Sequence, residues 1–578
     1  MQGPWQPTVS RPLPSLSLLF SLIVGCGGDP ASGDRETGVG TETTGVEGAT
    51  GGDVSDAGST DGGGPTASTT DEPKASTGAS DESGASESDD IVLTTRKAFP
   101  TAEGYGAMAT GGRGGTILYV TTTDDTGEEG SLRWAIQQDF PRIVYFLVGG
   151  EFRLESRLTA FGDNLTIAGE TANDLGGVNI TIPDDGANVD IRISIQNMIV
   201  RYIAVEGGFA SQDNGGDLLI PFSRSGSYNT ILDHYTGGWA NYTGGGMVQI
   251  DLDLGRGGLT TTQHSLLHEG SHQQNTGGSG GILASYTRQI YPDDYAQQLE
   301  AWGAWDGFSN HHNAFIGLTH RFFNTAGNGE TADQIYNNYI YGWRNRMSTH
   351  YNGNQPIDIR RNYYEAAPYN ADLNYGLMHR FDYREVTNMT PPIETNANFY
   401  IAENLVIDKD GSVFHGVDDD DWVMLATFDP DDPRDVSDVA RRLEPAPTPH
   451  GEMTLHHTED VKEVVLANVG AGVRFDENGT PYNNRENDLR YINWARDGTG
   501  PASVSTAFGD GGLGDHASFV HPVYVSQTRD RGELDEEGVP FGWVPPDDVI
   551  NDAGYSRLEL YLADIAGDFH VLRARQNR

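Results

Sequence analysis

Asn313-Ala-Phe-Ile, Asn338-Tyr-Ile-Tyr and Asn362-Tyr-Tyr repeat one short pattern, an asparagine followed by a burst of apolar or aromatic residues. Three earlier segments share it: Asn164-Leu-Thr-Ile, Asn197-Met-Ile-Val and Asn229-Thr-Ile-Leu. The first two steps are 33 and 32 residues and the last two 25 and 24, with a longer gap from Asn229 to Asn313. A drifting period with loop-sized insertions is the signature of a solenoid, in which each turn contacts only its neighbours and extra residues bulge outward. The bursts are short and rich in Ile, Val, Tyr and Phe, so they read as strands. Asparagine at a coil corner tolerates left-handed backbone, and stacked asparagine side chains can hydrogen-bond along the axis. The expected fold is all-β: a single right-handed parallel β-helix with long loops, whose shallow groove suits an extended polymer.

The chain has 578 residues with only one cysteine, which rules out a disulfide framework. Residues 27–92 are mainly Gly, Ser, Thr, Ala, Asp and Glu, with 15 acidic and 2 basic side chains and no aromatics. They lack the apolar surface to fold and are expected to form a flexible acidic linker. The net charge of −46 extends well beyond that linker. Nucleic acid demands a basic face and is therefore excluded as a partner. So acidic a surface suits salty surroundings, where ions screen its self-repulsion.

Arg11 is followed by Leu13 to Val24, an apolar run of signal-peptide length that is too short for a stable membrane span. It ends in Leu22-Ile-Val-Gly-Cys26, similar to a bacterial lipobox, in which the cysteine is acylated. The expected organisation is a lipoprotein signal over 1–26, the linker over 27–92, the β-helix over 93–420, and C-terminal loops with a terminal helix near Leu558–Ala563 over 421–578. The protein would then be extracytoplasmic, held at a membrane through a lipid on Cys26, and monomeric.

From residue 97 to 567 the chain resembles bacterial secreted pectate lyases of polysaccharide lyase family 1. The residues that carry the resemblance are Phe99 to Gly115 (FPTAEGYGAMATGGRGG), Gly130-Ser-Leu-Arg-Trp-Ala-Ile136, Pro141-Arg-Ile-Val144 and Leu165-Thr-Ile-Ala-Gly-Glu-Thr-Ala172. Further matches are Ile199-Val-Arg-Tyr-Ile203, Leu232-Asp-His234, His312-Asn-Ala-Phe315, Val464 to Arg474 and Gly554 to Leu562. The resemblance implies β-elimination on a uronate polymer such as pectate. A base removes the C5 proton and a cation stabilises the charge that develops at the sugar carboxylate. In the family the base is an arginine that follows an HN-x-F motif after five intervening residues, and the cation is Ca²⁺.

Here the motif is His312-Asn-Ala-Phe315, and the arginine is Arg321. Relatives often have Pro and a second Arg where this chain has Phe323 and Asn324. His320, His312, Arg344 and Arg346 are the expected substrate contacts, within a basic cluster that also takes in Arg360 and Arg361. Asp233 matches a family calcium ligand and Glu269 a second, but the usual Asp-Glu pair after Trp239-Ala240 is replaced by Asn241-Tyr242-Thr243. Asp251 and Asp253 are possible substitutes, since a hard cation needs several oxygens.

Other features read as structural. His264, His268 and His272 recur every four residues, the spacing of a zinc site on a helix, but their flanking residues favour non-helical backbone. Asp408-Lys-Asp-Gly411 reads as a turn and Asp418 to Asp421 as a solvated acidic run, while Trp302, Trp305 and Trp343 are candidates to stack on sugars. Three functions follow from the sequence: a calcium-assisted lyase, a galacturonan hydrolase with paired carboxylates, and a glycan-binding protein that kept the fold and lost its metal.

Overall fold

The computed structural model describes residues 90–577 except 161, 182–190, 194, 207–227, 239–245, 252–257, 269–279, 286–305, 319–321, 327–330, 344–347, 352–355, 371, 374–378, 383–396, 428–439 and 501–522. All the described residues belong to one compact unit.

Each turn of the chain lays one strand on each of three faces. Ala314–Leu318 joins a ten-stranded sheet, Phe323–Ala326 a six-stranded sheet and Asp333–Tyr336 an eleven-stranded sheet. The next turn repeats the order with Tyr339–Trp343, Ser348–Tyr351 and Pro356–Arg360. Each strand pairs in parallel with its counterpart one coil on: Phe315 with Ile340, Phe323 with Ser348, Ile335 with Ile359. The protein is a right-handed parallel β-helix. Because strand side chains alternate between faces, one row of the eleven-stranded sheet fills the interior. It runs Ile167, Val200, Leu232, Thr262, Asn310, Ile335, Ile359, Ile401, all buried.

The six asparagines form two ladders at different corners. Asn164, Asn197 and Asn229 lie where the chain enters the eleven-stranded sheet, and each has left-handed backbone, with φ of 62°, 62° and 57°. Their amides link in series, Asn197 Nδ2 to Asn164 Oδ1 at 2.7 Å and Asn229 Nδ2 to Asn197 Oδ1 at 3.1 Å. Asn313, Asn338 and Asn362 lie between the eleven- and ten-stranded sheets. Here the left-handed residue is the preceding one: His312, Asn337 or Arg361. Asn313 donates to Asn338 at 3.1 Å, Asn338 to Asn362 at 3.0 Å and Asn362 to Asn404 at 3.0 Å. Asn404 donates to Asp421 Oδ2 at 2.6 Å, and His415 Nε2 holds the other Asp421 oxygen at 2.7 Å. Asp421 is therefore the buried end-stop of a ladder, not part of a solvated acidic run.

The glycine-rich opening is a strap over the outer face of the eleven-stranded sheet. Gly106 N–H donates to Thr261 Oγ1 at 2.8 Å, Tyr105 N–H to Ser309 Oγ at 3.2 Å and Gly112 N–H to Thr166 Oγ1 at 2.9 Å. A Cβ on Gly106 would lie 2.1 Å from the Thr230 carbonyl oxygen, and one on Gly112 1.8 Å from that of Arg142. Glycine is required there because strap and strand backbones touch.

Parallel strands continue beyond residue 420, to Ala440–Arg442 in the eleven-stranded sheet. The C-terminal segment then returns along the solenoid. Glu486–Asp497 packs Tyr491, Ile492 and Ala495 on the ten-stranded sheet against Ile316 and Tyr341. The helix expected near Leu558–Ala563 is Arg557–Ile565, opened by a capping box between Ser556 and Glu559. A second helix, Asp568–Gln576, follows it.

Candidate functional site

The six-stranded sheet is the face on which Arg321 would act. Arg321 and His320 fall in the step from Leu318 to Phe323, and they lie outside the described residues, as do Arg344, Arg346, Glu269, Asp253, the Asn241-Tyr242-Thr243 stretch and Cys26. The frame around Arg321 is described. Phe315, Phe322 and Phe323 are fully buried, and the Phe315 ring meets Phe323 edge-on at 4.9 Å and Phe322 at 5.8 Å. Phe323, which stands where relatives often have Pro, thus fills the core beneath the corner that carries Arg321. Arg346 precedes Ser348 by the same two residues that separate Arg321 from Phe323, and Ser348 and Phe323 are register partners.

The HN-x-F motif is built into the scaffold. Asn313 is a ladder rung, Phe315 is core, and His312 takes left-handed backbone with φ 56°. His312 is 3% exposed and lies in a buried row at the corner between the eleven- and ten-stranded sheets. Tyr202 stacks on His234 at 4.7 Å, His234 on His264 at 5.2 Å, and His264 lies 5.3 Å from His312. This row is off the six-stranded face, so the expected substrate contact through His312 is not met. His268 ends Leu266–His268 and gives its Nε2 to Glu206 Oε1 at 2.9 Å, so the spacing of His264 and His268 reflects a strand corner.

Asp233 belongs to the same corner, and the expectation of a calcium ligand fails there. It is fully buried, with Oδ2 taking Arg201 Nε at 2.8 Å and His234 Nδ1 at 2.9 Å, and Oδ1 taking Gln263 Nε2 at 2.9 Å. Burial works against the charge of Asp233, but His234 and Arg201 outweigh it and hold the carboxyl well below the usual range. A hard cation needs open oxygens, and these are taken. Among the described residues no group of three or more His, Cys, Asp or Glu side chains is arranged to hold a metal.

Arg360 and Arg361 also leave the proposed basic cluster. Arg360 pairs with Asp358 at 2.5 Å on the eleven-stranded sheet, and Arg361 pairs with Glu403 at the ladder corner. Trp343 is 1% exposed and packs in the core. Asp408 to Gly411 forms the expected turn, closed by Gly411 N–H on Asp408 O at 2.8 Å.

Sequence reading missed two buried charge networks that clamp the C-terminal segment to the coil. In the first, Arg201 reaches Asp568 Oδ1 at 2.8 Å and Oδ2 at 3.1 Å as well as Asp233, with the Phe99 ring 3.7 Å from its guanidinium. Glu170 stands close to the same arginine. Burial pushes its carboxyl up to about 8, despite Arg201, and one of its oxygens has no hydrogen-bond partner. In the second network, Glu206 accepts from His268, Asn487, Tyr524 and Arg485, and Arg485 also meets Asp488 at 2.7 Å. Arg201 and Glu170 fall in the matched segments Ile199–Ile203 and Leu165–Ala172, but nothing local in the sequence signals that Asp568 joins them.

No family model matches the chain. It is 30% identical over 337 residues to a probable pectate lyase C of Emericella nidulans, covering 54% of this chain and 72% of that one. A probable pectate lyase C of Aspergillus oryzae is 29% identical over 318 residues, covering 51% and 70%. Among solved structures, a thermostable pectate lyase covers 65% of this chain and 98% of its own at 16% identity and TM-score 0.42. One from Acidovorax avenae covers 68% and 99% at 12% identity and TM-score 0.40. With the parallel β-helix in place and nearly three quarters of a 30% identical relative covered, the chain belongs to the pectate lyase family of polysaccharide lyases.

Proposed function

We propose that this chain cleaves α-1,4-linked polygalacturonate by β-elimination, as a member of polysaccharide lyase family 1, with Arg321 as the base. Arg321 would take the C5 proton of a galacturonate unit. The electron pair then forms the C4–C5 double bond and expels O4 of the glycosidic link, which takes a proton from water to become the hydroxyl of a new reducing end, so one chain becomes two and the newly formed non-reducing end is unsaturated. The observation that carries this reading is the place of Arg321, which follows the HN-x-F motif by the family's spacing and directly precedes the aromatic wedge that opens a central strand of the six-stranded sheet. An arginine acts as base only in its neutral form, disfavoured below a pH of about 12. The reaction is therefore expected to speed up toward alkaline pH.

Calcium enters as a requirement to be measured. Asp233 does not fit it, so Glu269, Asp251 and Asp253 remain the candidate ligands. The apolar run ending at Cys26 supports an extracytoplasmic, lipid-anchored location, with residues 27–92 as the tether. The test is ultraviolet absorbance of unsaturated uronide from polygalacturonate, with calcium and with chelator. A calcium-dependent rise supports the lyase. Chain shortening without absorbance would mean hydrolysis, and binding without shortening would mean a glycan-binding protein.

A further inference from the structure

Leu158–Ala160 and Ile191–Ile193 pair in a short parallel sheet of their own. In chain order Leu158–Ala160 falls between a strand of the ten-stranded sheet, Gly150–Arg153, and one of the eleven-stranded sheet, Leu165–Ala168. Phe323–Ala326 has that same place in its own coil, so the short sheet continues the substrate-bearing face toward the N-terminal end of the solenoid. Just beyond Leu158–Ala160 is an open recess of about 630 Å³, lined by Gln137, Asp139, Thr159, Gly162, Asp163 and Asn164 among others.

The chemistry of this recess differs from that expected of a pectate subsite. Two carboxylates and three neutral polar side chains line it, and none of the described residues lining it is basic. Arg142 lies nearby, but it is fully buried and its guanidinium is spent on the carbonyls of Ala135, Ile136, Phe140 and Gly162. Burial pulls that guanidinium down to about 10, while Asp139 and Asp163 oppose the shift. A uronate carboxylate brought here would meet two like charges, whereas sugar hydroxyls would meet hydrogen-bond acceptors.

From these residues we propose that the recess is a remote subsite for an uncharged pyranose unit of the polymer. This rests on the lyase reading for the polymer's identity. The unit is either a methyl-esterified galacturonate within the backbone or a neutral sugar borne by it. Five strand steps separate Leu165–Ala168 from Asp333–Tyr336, the coil of Arg321. At about 4.8 Å per step the recess lies roughly 24 Å along the axis from the base, several sugar units away. It would thus select where along a mixed chain the enzyme settles.

Binding, not turnover, tests this, so that it stands apart from the lyase reading. Titration calorimetry of the full chain in chelator would compare unesterified polygalacturonate, partly methyl-esterified pectin and a neutral galactan. The variants are Asp139→Lys, at an exposed site, and Asp552→Lys, an exposed site of equal charge change elsewhere. Relative to wild type, Asp139→Lys should shift the ratio of affinities several-fold away from the uncharged polymers and toward polygalacturonate, while Asp552→Lys does not. Preference for the esterified pectin would identify the backbone ester as the unit bound, and preference for the galactan the neutral sugar. Equal shifts in both variants would overturn the subsite. So would an Asp139→Lys protein whose preference among the three polymers matches that of the wild type. A protein that shows the shift yet yields no unsaturated product would keep the subsite and lose the lyase.

Discussion

Replacing Glu170 with glutamine should reduce the loss of stability expected of this protein between mildly acidic and alkaline pH. Glu170 is 2% exposed and lies within the field of the Arg201 guanidinium, which pairs with Asp233 and Asp568. Burial raises its carboxyl from 4.5 to about 8. A group that binds its proton more tightly folded than unfolded contributes stability that is complete below 4.5 and lost as pH rises through 8. At 1.36 kcal/mol per pH unit, the span from 4.5 to 8 corresponds to about 5 kcal/mol. Unfolding entropy of about 2.1 cal/mol/K per residue gives a chain of this size about 1 kcal/mol/K, so the expected change in Tm is about 5 °C. Thermal unfolding of wild type and Glu170→Gln would be followed by tryptophan fluorescence from pH 5 to 9. The two should have similar Tm at pH 5, and the variant should gain steadily above pH 6. Parallel curves across the range would refute the reasoning and place the proton elsewhere in the network.

Two further substitutions probe the scaffold. Asn338→Ala leaves the main-chain carbonyl of Asn310 and the main-chain N–H of Asn313 without their side-chain partner and cuts the amide links to Asn313 and Asn362. It should cost about 3 kcal/mol or more, read as a lowered denaturant midpoint, and an unchanged midpoint would deny the ladder a stabilising role. Gly106→Ala sets a methyl group against the Thr230 carbonyl. It should cost about 3 kcal/mol and expose the strap to proteolysis near Tyr105, whereas wild-type resistance would show that the strap yields.

The fold was legible because a solenoid repeats its requirements. Each coil needs a corner residue, an apolar row and a turn, so the asparagines and their bursts recur where a reader can count them. That the six asparagines belong to two corners was not legible, because both corners present an asparagine beside a strand and differ only in which residue takes left-handed backbone. The site was harder still. Asp233 and His312 stand in motifs matched to catalysis, yet both motifs also satisfy the corner. An aspartate that neutralises a buried arginine and one that waits for a cation look alike in one dimension. The partners that decide the matter, Asp568 and Gln263 among them, are distant in sequence. Arg360 and Arg361 misled for a related reason: nearness in sequence to Arg344 and Arg346 places them one face further round the coil. Arg321 stands as the proposed base on spacing alone, and of its surroundings the structure describes the buried wedge of Phe315, Phe322 and Phe323.

The most direct test of the account is the alkaline ultraviolet assay on polygalacturonate with wild type, Arg321→Ala and, as a control on an arginine bound elsewhere, Arg361→Ala. The account predicts unsaturated product from wild type and Arg361→Ala and none from Arg321→Ala with its fold intact by circular dichroism. Full activity in Arg321→Ala, or no unsaturated product from any of the three, would contradict it.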